Sequence, residues 1–261
     1  MLLTVLTNDL LPGTAAALDA LRRAADSFGI DIAVDTETAT PDFYLALGGD
    51  GSVLRALQRI GDTSVPLAGV NIGNLGFLTC GGIDDLTRIL RALKTGEYIT
   101  SVRSMLEARC ESTTGHALND AVALRGESGQ TVHIALSVNG EPVAEFACDG
   151  MIVATPTGST AYALSAGGPI MMPDSDALGV IAVCPHSMTA RPLVLPATSQ
   201  IALRVIRAHP PLSLNLDGQH IATLEPGATA HIRRSPRLAR LVMLPGDTPF
   251  SVIARKLGWG G

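Results

Sequence analysis

The sequence predicts an α/β N-terminal domain, a parallel sheet with flanking helices, followed by a β-rich C-terminal domain. Three observations carry this. Short strands apolar on both faces alternate with helical patterns over the first 100 or so residues, the pattern of a parallel sheet covered by helices. Beyond that point the helical patterns stop, and strand follows strand with turns between them. The chain also holds 27 glycines among 261 residues, which suits loops that approach a ligand closely.

The elements follow in order. Residues 1–7 read as a strand. Asp9 interrupts the apolar run and no basic segment precedes it, so this stretch is not expected to be a signal peptide. Thr14 to Phe28 places Ala17, Leu18, Leu21, Ala24 and Ala25 at helical spacing, with Gly29 as the stop. Strands are expected over Ile30–Val34, Phe43–Leu47 and Val65–Val70, the last ending at Asn71, and helices over Val53–Ile60 and Ile83–Leu93. In the second half, strands are expected at Met105–Glu111, Ala117–Leu124, Val132–Val138, Pro142–Cys148, Met151–Ala154, Gly179–Cys184, Ile201–Val205, Leu212–Leu216 and Ala230–Arg233. Asn139-Gly140 is a hairpin signal, and Asp217-Gly218-Gln219 reads as a second hairpin turn. The expected domains are 1–100, 101–240, and a tail over 241–261 that packs back on the first.

Composition narrows the function classes. The net charge of −5 supplies no general basic field, so no nucleic-acid partner is expected and any phosphate must be met by local geometry. No stretch is long and apolar enough to span a bilayer, so no membrane partner is expected. The four cysteines, Cys80, Cys110, Cys148 and Cys184, form no CxxC pair and read as reduced core thiols of a cytoplasmic protein. No protein metal site is expected.

The chemistry-bearing residues sit at strand ends. Gly48-Gly49-Asp50-Gly51-Ser52 follows a strand and opens a helix. Gly49 and Gly51 let the backbone approach a ligand, and the helix N-terminus offers free N–H groups and partial positive charge to phosphate. Asp50 is unfavourable beside phosphate unless a metal ion or a substrate hydroxyl compensates it. Arg55 stands in the first turn, where a cation opposes the helix dipole and an anionic ligand would account for it. A plain glycine turn with Asp50 as a cap and Arg55 in solvent fits the same residues. There is no GxxxxGK[ST] and no GxGxxG, which excludes a P-loop and disfavours a Rossmann dehydrogenase. Asn71 through Phe77 and Leu78 form a second glycine loop at a strand end.

Asp149-Gly150 opens an apolar strand that ends in Thr155-Pro156-Thr157-Gly158-Ser159-Thr160-Ala161-Tyr162, with a helix expected to start near Thr160 and end at Gly167. Its hydroxyls and N–H groups suit a ribose or a phosphate, and Tyr162 suits a stacked ring; a capped turn is the structural alternative. Asn119-Asp120 would suit ribose hydroxyls if it faces inward and mean little on an exposed edge. His186, after Cys184-Pro185, fits either a ligand contact or a hydrogen-bonded structural role.

Six segments together resemble the ATP-NAD kinase family: LGGDGSVLRA, NIGNLGFLT, ALNDAVALRG, DGMIVATPTGSTAYALSAGGPI, CPHSMTARPLVLP and LNLDGQ, the last carrying Gln219. GGDG alone is shared with phosphofructokinases and with diacylglycerol and sphingosine kinases, whereas the TPTGSTAY segment is far more specific. The resemblance implies transfer of the terminal phosphoryl of ATP, or of polyphosphate, to the adenosine-ribose 2′-hydroxyl of NAD. It implies Mg²⁺ carried with the nucleotide, Asp50 as general base or orienting group, Asn119 and Asp120 on the NAD, and Asp149 on its nicotinamide-ribose side. Thr160, Ala161, Tyr162 and Ser165 would line the dinucleotide pocket. It also implies a homo-oligomer, dimer or tetramer, in which a neighbouring subunit helps to complete the site.

Four departures stand out. Asp120 replaces the usual Glu, which keeps the charge and shortens the reach by about 1.5 Å. Ala147 stands where many members have a basic residue, as in members that accept NADH as well as NAD. Ser52 replaces a common Thr and Ala163 a common Ser. The rival readings are a related GGDG kinase with another hydroxyl acceptor and a catalytically silent NAD-binding regulator.

Overall fold

The computed structural model describes residues 1–7, 11–35, 40–60, 63–73, 76–126, 130–246 and 248–259. The chain divides into two compact units, Met1–Val102 with Leu238–Gly261, and Arg103–Arg237.

The first unit is built on a parallel sheet. In chain order it holds β1 (Leu2–Leu6), α1 (Thr14–Phe28), β2 (Asp31–Val34), β3 (Phe43–Leu47), α2 (Asp50–Arg59), β4 (Leu67–Asn71), β5 (Gly81–Gly82) and α3 (Leu86–Thr95). β1 pairs in parallel with β2 and β3, and β3 with β4. α1 spans the expected residues and buries Ala17, Leu21 and Ala25, with Leu18 and Ala24 packed at the margin of the same core. Gly29 ends it in the left-handed conformation, donating its N–H to the carbonyls of Ala25 and Asp26. α2 starts three residues earlier than expected. The N–H groups of Ser52 and Val53 both bond to the Gly49 carbonyl, so Asp50-Gly51-Ser52 is already the first turn. The expected single helix from Ile83 is a 3₁₀ turn over Ile83–Asp85 followed by α3, and the Asp85 carboxylate accepts the Gly82 N–H at 2.9 Å.

The second unit is antiparallel. The strands that follow are β6 (Ile99–Cys110), β7 (Thr113–Ala117), β8 (Asp120–Leu124), β9 (Val132–Val138), β10 (Glu141–Cys148), β11 (Gly150–Ala154), β12 (Ala177–Val183), β13 (Leu193–Pro196), β14 (Ile201–Arg207), β15 (Leu212–Leu216), β16 (Gln219–Leu224) and β17 (Thr229–Met243). A 3₁₀ turn over Thr157–Thr160 and a single helical turn, α4 (Tyr162–Ser165), replace the longer helix expected there. The helix is cut short because Gly167, at φ 82, turns the chain away and the Gly168 N–H bonds back to the Ala163 carbonyl. β13-β12-β11-β8-β15-β16 form one sheet. Its inner face (Ala121, Ala123, Met151, Val153, Leu178, Val180, Leu212, Leu214) meets Ile134, Leu136, Ile201, Leu203 and Ile232 of the facing strands in one core. Its outer face buries Val122, Ile152, Ile181 and Val183 against Ala163 of α4. Apolar residues on both faces explain why the run Met151–Ala154 lacks alternation.

Other differences have local causes. The expected strand Ala117–Leu124 is two strands, broken at Leu118-Asn119, whose N–H groups bond to Asp217. β17 runs far beyond the expected Ala230–Arg233. Arg233, Arg234 and Arg237 interrupt its apolar pattern, and Arg233 and Arg234 are paired outward with Glu107 and Asp176. Asn139 and Gly140, both at positive φ, form the expected hairpin turn, as do Asp217 and Gly218. The cysteines are all free, but Cys184 is exposed rather than a core thiol, because it sits beyond the end of β12 at φ 45. The tail forms α5 (Pro249–Leu257), capped by Thr248, within the first unit. Among the described residues no helix is long and apolar enough to cross a membrane.

Candidate active site

In the first unit the glycine loop between β3 and α2 holds its carboxylate in a defined way. Asp50 is half-buried at the helix start. Its Oδ2 accepts the Phe77 N–H at 2.8 Å and its Oδ1 accepts the Leu78 N–H at 2.9 Å. Among the described residues neither oxygen accepts a further hydrogen bond, so each keeps a second lone pair for another donor. Gly76 makes this possible: a Cβ there would lie 1.8 Å from Asp50 Oδ1. Asn71, at the end of β4, folds the same loop by accepting the Gly73 N–H at 2.8 Å, and Thr79 Oγ1 accepts the Gly76 N–H at 3.0 Å. Asn74 and Leu75 of the NIGNLGFLT segment lie outside the described residues. The Lys256 ammonium of α5 stands over the Phe77 ring, 5.9 Å from its centroid.

Gly49 and Gly51 differ from Gly76. Neither is in the left-handed region, and a Cβ at either would meet nothing within 4 Å. The protein's own packing therefore does not demand glycine at 49 or 51, and the space beside them is open. Ser52 Oγ is buried with no hydrogen-bond partner among the described residues. Arg55 is exposed and, because α2 already starts at Asp50, stands in its second turn rather than in the first as expected.

In the second unit a second loop is closed just as tightly. The Asp217 carboxylate accepts three N–H groups: Leu118 at 2.8 Å, Asn119 at 2.7 Å and Asp120 at 3.3 Å. Thr155 Oγ1 donates to the Leu118 carbonyl at 2.6 Å and accepts the Gly158 N–H at 3.1 Å. The Thr155 N–H bonds to the Asn119 carbonyl, and a Cβ on Gly158 would lie 2.0 Å from that carbonyl oxygen. The hydroxyls of Thr160 and Ser159 donate to the carbonyls of Thr157 and Pro156, so they shape the turn. Thr157 is buried, with Arg103 Nη1 3.4 Å from its hydroxyl. Ala161 is partly buried, whereas Tyr162 and Ser165 are exposed. Gln219 is exposed at the start of β16. Asn119 Oδ1 is buried without a partner among the described residues. Burial and then the charge of Asp217 push the Asp120 carboxyl up to about 7. Burial also raises Asp217, against the pull of its three N–H bonds.

Asp149 and its neighbours do not join this group. In the β8–β11 register Asp120 faces Ala154, and Leu124 faces Gly150. Asn119 and Asp120 therefore stand at one end of the sheet and Asp149 at the other, roughly 17 Å apart at strand rise. At the far end Asp149 is ion-paired with Arg125, whose Nη2 donates to Oδ2 at 3.1 Å and whose Nε lies 2.7 Å from Oδ1, and this pairing raises the Arg125 guanidinium further. The Ala147 carbonyl accepts the His186 N–H at 2.8 Å, and His186 Nε2 lies 3.2 Å from Thr131 Oγ1.

Sequence reasoning missed Asp217, Gly76, Gly158, Arg125 and Lys256. Asp217 and Gly158 lie inside quoted segments, but their contacts join residues about 40 to 100 positions apart. Among the described residues no group of three or more His, Cys, Asp or Glu side chains gathers to hold a metal ion.

Comparison with known proteins agrees with this layout. The profile of the ATP-NAD kinase N-terminal domain matches residues 17–98, and that of the ATP-NAD kinase C-terminal domain matches residues 118–244. The NAD kinase of Symbiobacterium thermophilum is 43% identical over 83% of the chain and 78% of its own length. That of Gemmatimonas aurantiaca is 38% identical over 87% and 80%. An NAD kinase from Archaeoglobus fulgidus, solved in complex with ATP, superposes over the whole of both chains with a TM-score of 0.81 at 25% identity. Yeast NADH kinase, solved with NADH, shares the fold with a TM-score of 0.90 over 100% of this chain and 88% of its own, at 22% identity. The chain belongs to the ATP-NAD kinase family.

Proposed function

We propose that this ATP-dependent NAD kinase acts through Asp50 on the adenosine-ribose 2′-hydroxyl of NAD. The observation that carries the reading is the loop around Asp50: a carboxylate fixed by two backbone N–H groups, with a lone pair on each oxygen unused among the described residues, beside open space at Gly49 and Gly51. The 2′-hydroxyl gives its proton to Asp50, its oxygen bonds to the terminal phosphorus of ATP, and the bond to the departing ADP breaks. Such transfers need positioning and charge neutralisation more than covalent help from the protein. Kinases of this family use a divalent cation; here it enters with the nucleotide, as magnesium-ATP, and neutralises the phosphate charge. The open helix start offers Gly49, Gly51 and Arg55 to the donor phosphates. Asn71 and Phe77 shape the wall of that loop.

In the second unit the unpartnered Asn119 Oδ1 and the neighbouring Asp120 suit the ribose of NAD, with Thr157, Thr160, Ala161, Tyr162 and Ser165 along the same turn. The division of labour is a GGDG-bearing domain up to about residue 100, an NAD-binding domain to about residue 240 and the tail. Asp149, Ala147, His186 and Gln219 complete the set. Because Asp149 lies at the opposite sheet end from Asn119, the reading favours a homo-oligomer in which one chain's Asp149 end serves a neighbour's dinucleotide. The enzyme works in the cytoplasm, and polyphosphate is a second candidate donor. Asp149 is ion-paired with Arg125 and Ala147 itself carries no charge, which supports use of both NAD and NADH.

The test is NADP(H) formation by the purified protein with magnesium-ATP, or with polyphosphate, and either dinucleotide. Specificity constants for NAD and NADH within a few fold are expected. A preference for NAD above about a hundredfold, roughly 2.7 kcal/mol, discards the relaxed choice and keeps the kinase. No product from either dinucleotide discards the reading.

A further inference from the structure

Asn119 and Asp120, neighbours in the chain, each carry an unspent polar group among the described residues. Asn119 Oδ1 is buried and accepts nothing among the described residues. Asp120 is 5% exposed, and its carboxyl makes no hydrogen bond or ion pair among the described residues.

The charges around Asp120 decide its state. Across β8, Asp120 faces Ala154 of β11, and neither β11 nor the turn Thr155–Thr160 carries a titratable side chain. On the other side lies Asp217, whose N–H bonds to the Asp120 carbonyl at 3.1 Å. Asp217 has its charge held by three N–H groups. The cationic and titratable groups of the neighbouring segments have partners of their own: Arg103 stands at Thr157 and feels Asp174, His220 is bonded to Ser213, and His116 to Ser235. Among the described residues Asp217 is the charged group that acts on Asp120. Ionising Asp120 would put a second negative charge, buried, beside the first with no cation to answer it. A Glu at this position would carry its carboxyl about 1.5 Å further along its side chain. The shorter Asp holds it back.

We propose that Asp120 meets the dinucleotide as a neutral carboxylic acid, so that Asn119 and Asp120 present an acceptor and a donor side by side, and that dinucleotide binding takes up a proton in mildly alkaline solution. The matching ligand group offers one donor and one acceptor, such as a ribose hydroxyl or the amino-imine edge of a purine. A neutral Asp120 also spares the ligand's diphosphate the repulsion of another anion. With the free carboxyl titrating at about 7, the proton is already present at pH 6 and must be acquired at pH 8. The inference rests on the reading that Asn119 and Asp120 hold NAD.

The experiment is calorimetric titration of the full-length protein with NAD, which has no group that titrates between pH 6 and 8.5. The wild-type protein is expected to bind about tenfold more weakly at pH 8 than at pH 6, and to take up close to one proton per NAD at pH 8, measured in buffers of different ionisation enthalpy. Asp120→Asn, of the same size, is expected to lose both the slope and the uptake. A wild-type affinity flat across this range, or an Asp120→Asn variant that keeps the slope, overturns the proposal. The wild-type proton count decides the matter even if the variant does not bind. Absence of NAD binding at every pH instead overturns the functional reading beneath it.

Discussion

Asp50 in the first unit and Asp217 in the second are anchored by the same device. Each carboxylate accepts backbone N–H groups from a loop far away in sequence, two for Asp50 and three for Asp217. Near each, a glycine allows a contact that no Cβ would permit, Gly76 against Asp50 and Gly158 against the Asn119 carbonyl. The two differ in what is left over. Asp217 accepts three N–H groups, two of them on Oδ1, and these break β7 from β8. Asp50 stands half-exposed at a helix start with open space at its neighbours Gly49 and Gly51. One carboxylate organises a loop, and the other is organised by a loop and remains available. The difference teaches that fixing a carboxylate and using it are separable: backbone N–H groups set the geometry, and access decides the chemistry.

Substitutions can break this contrast. The largest effect is expected at Asp50. Asp50→Asn should lower turnover by about three orders of magnitude, within the range of a lost general base, while the NAD dissociation constant stays within a few fold. Gly76→Ala should also lower turnover, because its Cβ displaces the Asp50 carboxylate. Steady-state rates set beside titrations with NAD give the answer, and near-wild-type turnover in Asp50→Asn removes this residue from the mechanism.

In the second unit the same kinds of change should act on stability. Gly158→Ala presses a methyl group against backbone and should cost about 3 kcal/mol, lowering the Tm by roughly 6–12 °C. Asp217→Asn should cost about 1–3 kcal/mol through lost N–H acceptors, with turnover in the folded fraction far less affected than in Asp50→Asn. Thermal melts paired with activity separate the two regions. A loss of turnover in folded Asp217→Asn as deep as that in Asp50→Asn would erase the contrast.

A smaller effect sharpens the comparison further. Because the folded state raises Asp120 from 3.8 to about 7, the folded chain holds a proton that the unfolded chain has released between those values. Stability therefore falls as pH rises through that window and levels off above it. Asp120→Asn removes the penalty. It should gain stability relative to wild type at pH 8 compared with pH 5, by no more than about 3 kcal/mol. Urea midpoints at the two pH values measure this, and an equal effect of the substitution at both would show that Asp120 ionises freely.

Much of the fold was legible because the signals are local. α1 follows from apolar spacing and a terminal glycine, and β3, β9 and β15 follow from short apolar or alternating runs. β17 was legible only in part, since its arginines are paired outward by residues of other elements. The candidate residues were legible as motifs, but their grouping was not. The antiparallel register of β8 and β11 sends Asp149 and Asn119 to opposite sheet ends, a separation that neither motif records.

By itself the sequence determined the order of elements, the two classes of sheet and the family, because periodicity, turn residues and motifs are properties of neighbouring positions. Only the tertiary structure decided which carboxylates are spent and which are free. It set Asp217 against Leu118, Asn119 and Asp120, Asp50 against Phe77 and Leu78, and Arg125 against Asp149. The physical reason is that a buried charge takes its state from whatever the fold brings near it. Those neighbours come from other strands and loops, at separations that no local pattern records.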